Sequence, residues 1–308
     1  MAKLLHGGAD ELLSLMCLAR PLDKVPLIVA PAMNREMWSN PATQRNVAQL
    51  KADGIHVLDV GQGDQACGET GDGRMLEAED ILEELEAFFT PKVMSGKSVL
   101  VTAGPTYEAI DPVRGITNLS SGKMGFAIAR SARMAGASVT LIAGPVHLPT
   151  PRGVQRVDVR SARQMLDAVQ LHAHAADVFI ATAAVADWRP AHSADQKIKK
   201  DGSGDTPQLS FVENPDILAT IAQSPRGASG ELFCVGFAAE SHDLLAHATA
   251  KRLRKGVPLL VGNIGPATFG QDDNALLLVD PAGARELPRA SKQALAVQLI
   301  DDIAHRLK

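Results

Sequence analysis

The run from Val99 to Gly125, VLVTAGPTYEAIDPVRGITNLSSGKMG, constrains the fold more than any other part of the chain. It opens as a buried strand (Val99, Leu100, Val101) and breaks at Ala103-Gly104-Pro105. An irregular polar loop follows, and order returns at Asn118-Leu119-Ser120-Ser121-Gly122 ahead of a helix. In open α/β sheets a long polar loop between strand and helix is where ligands bind. Gly115 and Gly122 let backbone N–H groups approach an anion, the helix N-terminus favours negative charge, and Arg114 and Lys123 add cations. The loop is suited to phosphate or carboxylate chemistry, though a glycine-tolerant turn with a helix cap has the same pattern.

Neither common nucleotide loop matches. A dinucleotide fingerprint needs G-x-G-x-x-G and an acid ending the next strand, whereas Ser138 to Ile142 runs into Ala143-Gly144-Pro145. A Walker loop needs four residues between its glycines and Ser or Thr after the Lys; here six residues separate Gly115 from Gly122, and Met124 follows Lys123.

Alternating signals place this loop in a larger sheet. Strands are predicted at 98–103, 138–143, 154–159, 177–183, 232–238, 257–262 and 275–279, and helices at 122–135, 161–175, 215–223, 242–254 and 291–307. This is the pattern of an α/β, doubly wound, Rossmann-like domain over residues 95–308. Before it, residues 1–94 predict helices at 2–19, 40–53 and 77–89 and strands at 27–30 and 55–60, joined to the second domain by a linker near Thr90 to Lys97. A flavodoxin-like sheet has about five strands, so this first domain reads as incomplete at its front.

With 308 residues and 45% hydrophobic side chains, two ordinary cores are expected. A net charge of −4 gives no reason to expect nucleic acid, so an anionic ligand must rely on local cations such as Arg114, Lys123 and the Lys197–Lys200 cluster. Cys17, Cys67 and Cys234 are odd in number and far apart, which suits a reducing compartment. No apolar run reaches about 18 residues and no signal peptide opens the chain, so a cytoplasmic protein without membrane attachment is expected.

Several further residues carry two readings. Asn34, after a strand end and a Pro, suits reading a substrate carboxylate or capping the next turn. Cys67, in a glycine-rich run, is an inert small side chain or an accessible thiol on a mobile flap. Asp187 suits a Mg²⁺ bridging triphosphate oxygens, or a turn. The lysines at 197, 199 and 200 suit a solvated surface or an anion, and Asn214-Pro215-Asp216-Ile217 is also a plain Asn cap with Pro at the first helical position.

Seven motifs in order carry a resemblance. TAGPTYEAIDPVRGITNLSSGKMGFAIA, Ala183-Ala184-Val185-Ala186-Asp187-Trp188, Lys197-Ile198-Lys199-Lys200, Asn214-Pro215-Asp216-Ile217 and Gly236-Phe237-Ala238-Ala239-Glu240 resemble the ligase half of the bacterial bifunctional phosphopantothenoylcysteine decarboxylase/phosphopantothenate–cysteine ligase family. Pro31-Ala32-Met33-Asn34-Arg35-Glu36-Met37-Trp38 and Ala66-Cys67-Gly68-Glu69-Thr70-Gly71-Asp72-Gly73-Arg74-Met75 resemble its decarboxylase half.

The resemblance implies coenzyme A biosynthesis: CTP-dependent ligation of 4′-phosphopantothenate to cysteine through an acyl-cytidylate, with Mg²⁺, and FMN-dependent decarboxylation of the product. It implies that Asn118 and Arg114 hold the acyl group and that Lys197 and an Asp187-bound Mg²⁺ meet the phosphates. Gly122, Lys123, Phe237 and Asn214 to Ile217 would line the nucleotide and substrate site. Asn34 would contact the phosphopantothenoylcysteine carboxylate and Cys67 would assist reduction. A homo-oligomer with a dimeric ligase domain is also implied.

Three departures qualify these expectations. Family-like sequence begins directly after Met1, and the flavin-phosphate loop and histidine that precede it in the family are not in this chain, so FMN retention and decarboxylation are not expected of it. Cys67-Gly68-Glu69 stands where relatives commonly read Cys-Gly-Asp, and Gly262-Asn263-Ile264-Gly265 stands where many have Ala-Asn-Asp-Val. The competing readings are a non-catalytic nucleotide-binding scaffold on the same fold, and an unrelated Rossmann dehydrogenase. The second is disfavoured by the missing ribose-binding acid.

Overall fold

A computed structural model describes residues 1–65, 68–199, 208–240, 242–264 and 270–308, with Ile264 described by its backbone alone. The chain divides into two compact units, Met1–Phe89 and Thr90–Lys308.

The first unit runs α1 (Ala2–Leu5), α2 (Leu12–Ala19), β1 (Ile28–Val29), α3 (Arg35–Ser39), α4 (Pro41–Ala52), β2 (His56–Val57), β3 (Gly61–Asp64), β4 (Thr70–Arg74) and α5 (Ala78–Phe89). Strands β1 and β2 pair in parallel over a small core of Val47, Leu50, Ile55 and Val57. The helix expected over 2–19 is two helices, because Gly7 turns the chain with φ at 65°. The apolar residues of α2 face outward, with Leu12 73% and Leu13 71% exposed. The glycine-rich run ahead of α5 is the antiparallel hairpin β3–β4, a register that the alternation rule misses when glycine and polar residues fill both faces.

The second unit begins with β5 (Ser98–Ala103), β6 (Tyr107–Asp111), β7 (Arg114–Thr117), α6 (Lys123–Met134), β8 (Ser138–Ala143), β9 (Val154–Asp158), α7 (Ala162–Ala173) and β10 (Val178–Ala181). It continues through β11 (Trp188–Pro190), β12 (Phe211–Glu213), α8 (Ile217–Ala222), α9 (Pro225–Ser229), β13 (Phe233–Glu240), α10 (Leu244–Lys255), β14 (Leu259–Ile264), β15 (Asp273–Asp280), β16 (Gly283–Ser291) and α11 (Lys292–Arg306). Eight strands form one sheet in the order β16-β15-β14-β13-β10-β5-β8-β9. Pairing is parallel from β14 to β9 and antiparallel for β15 and β16.

Both faces of this sheet are covered. Val99 and Val101 enter one core with Phe126, Ile128, Leu295 and Leu299, whereas Leu100 enters the other with Met165, Val169, Phe179 and Leu260. Two buried faces explain why β5 reads as a continuous apolar run instead of an alternating one. From β5 the chain moves outward to β8 and β9, then returns to β10 on the opposite side of β5 and proceeds to β13 and β14. The sheet reverses between β5 and β10, and the crevice outside the carboxyl ends of those strands is the ligand position of such folds.

Three elements depart from the sequence reading. The loop over 104–122 contains the hairpin β6–β7, and the insertion after β10 contains the hairpin β11–β12. The chain also adds the edge strand β16, where only Leu287 is buried between otherwise half-buried or exposed residues. None of these strands has an apolar face to announce it; they form because a neighbouring backbone supplies the ladder. Strand β15 starts at Asp273, two residues before the expected 275, for the same reason.

Helix α6 meets β5 at Gly125, where an added Cβ would stand 2.5 Å from the Ala103 Cβ and against the Thr182 hydroxyl. Alanine in a helix interior gains about 1 kcal/mol over glycine, but overpacking a buried contact costs about 1–3 kcal/mol. Ala103 is fully buried and cannot retreat. Gly125→Ala should therefore lower the unfolding free energy, read from urea denaturation, by up to about 2 kcal/mol. A stabilised variant would show that α6 slides freely on the sheet.

Candidate functional site

Backbone hydrogen bonds join the segments that leave β5 and β10. The Ala184 N–H donates to the Gly104 carbonyl at 2.9 Å, the Thr106 N–H donates to the Ala184 carbonyl at 3.2 Å, and the Ala186 N–H donates to the Thr106 hydroxyl at 3.0 Å. The Thr182 hydroxyl donates to the Thr102 carbonyl at 2.5 Å. These bonds hold two ligand loops side by side in a single wall, and satisfy polar groups that a buried loop would otherwise leave unpaired.

A cavity of about 980 Å³ opens against this wall. The start of α6 contributes Gly122 and Lys123, and Gly122 takes the left-handed conformation, φ 76°, that turns the chain into the helix. Asn118, Asp187 and Asn214 to Ile217 line the cavity as well, with Phe237 from β13. Among the described residues, five cations line it (Lys123, Lys251, Arg254, Lys255 and Lys292) against three carboxylates (Asp187, Glu213 and Asp216). Lys255 pairs with Asp216, and Lys123 pairs with Asp272 at 2.6 Å.

No carboxylate of the described residues lies within ion-pair distance of Lys251 or Arg254. Burial pushes the Lys251 ammonium below its ordinary value of 10.5, with Glu240 and Asp187 acting in the opposite sense. Burial likewise lowers Lys255 and Lys292. Clustered, partly desolvated lysines are raised in energy until an anion arrives, so the cavity favours a polyanionic ligand.

The structure thus brings together Asn118, Gly122, Lys123, Asp187, Asn214, Pro215, Asp216, Ile217 and Phe237. Asn118 donates its amide to the Ala184 carbonyl at 2.9 Å. Asn214 is not the helix cap: its amide donates to the Ala186 carbonyl at 2.8 Å and its side-chain carbonyl accepts from Arg189 at 3.0 Å, while Asp216 caps α8 through the Ala219 N–H.

Arg114 and Lys197 do not line the cavity. Arg114 binds Asp111 and the Ile198 carbonyl, and Lys197 is exposed. In the first unit, Asn34 caps α3, accepting from the Glu36 and Met37 N–H groups while its amide donates to Glu69 at 2.5 Å. Cys67, Lys200 and Gly265 lie outside the described residues.

Sequence reasoning missed Lys251, Arg254, Lys255 and Lys292. The run Lys251-Arg252-Leu253-Arg254-Lys255 ends a helix, where basic residues ordinarily complement the dipole, so it reads as surface. Its signal is spacing, since residues 251, 254 and 255 share one helix face. Lys292 opens a helix, where a cation opposes the dipole, and is only 8% exposed; that mismatch is also visible in sequence.

Residues 94–307 match the model of the DNA/pantothenate metabolism flavoprotein C-terminal domain, and residues 1–90 match that of the Flavoprotein family. The chain is similar to the coenzyme A biosynthesis bifunctional protein CoaBC of Vibrio cholerae serotype O1, with 47% identity over 299 residues, covering 96% of this chain and 73% of that one. It is also similar to the protein of the same name from Escherichia coli K12, with 42% identity, covering 99% and 75%. Among solved structures, the C-terminal domain of a CoaBC protein aligns with TM-score 0.59 and 36% identity, over 70% of this chain and 98% of that one. The DNA/pantothenate metabolism flavoprotein from Streptococcus pneumoniae, at 21% identity and TM-score 0.58, covers 68% of this chain and 100% of its own, and shares the fold. The relatives extend beyond this chain, which spans about three quarters of their length. With both units matched by family models and relatives this similar along nearly all of its residues, the chain belongs to the family of coenzyme A biosynthesis bifunctional proteins.

Proposed function

We propose that the Thr90–Lys308 unit, a ligase of coenzyme A biosynthesis, uses CTP to join 4′-phosphopantothenate to the amine of cysteine in the cavity at the β5/β10 reversal. The observation that carries this reading is the cluster of Lys251, Arg254 and Lys255 lining the same cavity as the start of α6. A scaffold that only holds nucleotide is not favoured, because the family is enzymatic.

A carboxylate is a poor electrophile, so amide formation needs activation. In the proposed reaction the pantothenate carboxylate oxygen attacks the α-phosphorus of CTP and pyrophosphate leaves. The cysteine amine then attacks the acyl carbon of the acyl-cytidylate and CMP leaves. Charge develops on the α-phosphate and on the departing pyrophosphate, where preorganised cations are most effective. Lys251, Arg254 and Lys255 would meet these phosphates, and Lys197, exposed and without an ion pair among the described residues, would reach the α-phosphate. Asn214 to Ile217 and Phe237 would hold the cytidine, and Asn118, fixed to the Ala184 carbonyl, would orient the acyl group. Asp187 offers one cavity carboxylate for Mg²⁺, which needs only one or two when substrate phosphates supply other ligands; bound there, the ion would neutralise phosphate charge.

Residues 1–90 belong to a flavoprotein family, whose flavin we infer to be FMN. In that unit the parallel strand β1 passes to α3 through Ala30-Pro31-Ala32-Met33-Asn34, a connection without glycine. That connection offers no glycine at which a flavin phosphate could approach the backbone. The Asn34 amide donates to Glu69 at 2.5 Å, so a substrate carboxylate at the same nitrogen would stand beside that acidic side chain.

The purified chain should release pyrophosphate from CTP only with 4′-phosphopantothenate and Mg²⁺ present, and poorly from ATP. Equal turnover with ATP, or none with CTP, would refute the nucleotide assignment. Removing one cation aimed at transition-state charge costs about 2.7–4 kcal/mol, so Lys251→Gln should slow pyrophosphate release roughly 10²–10³-fold.

Only the charged ammonium attracts phosphate, and the Lys251 ammonium deprotonates below the ordinary 10.5. The KM for CTP should therefore rise with pH before 10.5 is reached, and Lys251→Gln should flatten that rise. A parent KM independent of pH through this range would remove Lys251 from the site. Asn118→Asp, by placing a negative charge beside the acyl-cytidylate, should hinder cysteine attack so that the intermediate accumulates in quenched reactions. Normal product formation without detectable intermediate would count against Asn118.

A further inference from the structure

Asp111 ends β6 with its side chain fully buried, although it lies in a two-stranded hairpin outside the main sheet. Its oxygens accept from the N–H groups of Val113 at 2.9 Å and Arg114 at 2.8 Å, and from Arg114 Nε at 2.9 Å. One of them also accepts the Ile198 N–H at 3.1 Å, across 87 residues of sequence. The Arg114 guanidinium, which holds the Asp111 carboxyl well below the usual carboxylate range, donates to the Ile198 carbonyl at 2.7 Å. Both backbone polar groups of Ile198 are therefore held by a carboxylate and a guanidinium that bind each other. A second tie runs from the Ala194 N–H to the Ile110 carbonyl at 2.9 Å.

The other end of the hairpin is fastened to the cavity wall. The Thr117 hydroxyl donates to the Thr106 carbonyl at 2.8 Å, and Thr106 is bonded to Ala184. The hairpin is thus a strut between the wall and the backbone that carries Lys197. An aspartate that only shapes a turn accepts N–H groups two and three residues ahead. That role accounts for the Val113 and Arg114 N–H groups but not for the grip on Ile198.

We propose that Asp111 is a positioning residue of the ligase: with Arg114 it clamps Ile198 and so fixes the backbone from which Lys197 reaches the nucleotide. The inference rests on the reading that Lys197 meets the α-phosphate. Misplacing a reacting group by about 1 Å costs on the order of 10²-fold in rate.

The test is a double-mutant cycle on the full chain, read as the rate of pyrophosphate formation, with Asp111→Asn, Lys197→Gln and both together. Asp111→Asn should slow the parent roughly 10–100-fold. In the Lys197→Gln background the same change should slow the reaction less than about threefold, because the group it positions is gone. Asp111→Glu, which returns a carboxylate, should recover part of the rate.

An equal loss in both backgrounds, or an Asp111→Asn rate near the parent's, overturns the clamp while leaving Lys197 in place. A negligible effect of Lys197→Gln overturns the Lys197 reading and the inference with it. If Asp111→Asn does not fold, amide hydrogen exchange on the parent chain decides. The Ile198 N–H should be protected relative to its neighbours at Lys197 and Lys199, and exchange as fast as theirs sinks the proposal.

Discussion

Every group that faces the cavity depends on the pairing of β5 with β10 at the point where the sheet reverses. Four residues of each strand are in register, from Val178 beside Val99 to Ala181 beside Thr102, and hydrogen bonding continues past the strand ends through Gly104, Thr106 and Ala184. Two loops that would diverge in an ordinary parallel pair are thereby held as one surface. Asn118 is fixed to that surface directly, and Asn214 is fixed two residues further on through Ala186. The same close approach leaves no room for a side chain at Gly125, so the start of α6 is set at a defined height over β5.

Charge is distributed unevenly around this frame. The overall balance of −4 is that of an ordinary acidic protein, yet the cavity gathers Lys251, Arg254 and Lys255 from a single helix. Two other cations of its lining, Lys123 and Lys292, are partly neutralised by Asp272, whose own carboxyl the Lys123 ammonium lowers. Lys251 and Arg254 have no ion pair among the described residues, and a triphosphate would meet them in the proposed reaction. Enzymes that activate a carboxylate with a nucleotide need no covalent nucleophile of their own. The buried Cys234, whose thiol burial pushes up to about 12, is correspondingly inert packing.

The hairpins show how an insertion without a core of its own is made rigid. Strands β6, β7, β11 and β12 are short and carry few buried side chains, so hydrophobic burial cannot order them. Polar contacts do so instead: Asp111 and Arg114 at one hairpin, Arg189 with Asn214 at the other. Arg114, expected from the resemblance to hold an acyl group, is folded back on Asp111.

The sequence by itself determined the doubly wound sheet, because strands buried on both faces must be continuously apolar and the helices that cover them must be amphipathic; Val99–Val101 and the face of α6 carry that information locally. It also determined that Gly122 and Lys123 stand at a helix start, wherever that helix is placed. Tertiary structure decided which distant side chains meet there. Lys251 and Arg254 share a cavity with Asp187 only because β13 and β14 lie beside β10, and Ile198 meets Asp111 only because the two hairpins touch. Such encounters have no period and no local propensity. They arise from strand order and from polar groups that need a partner once they are removed from water.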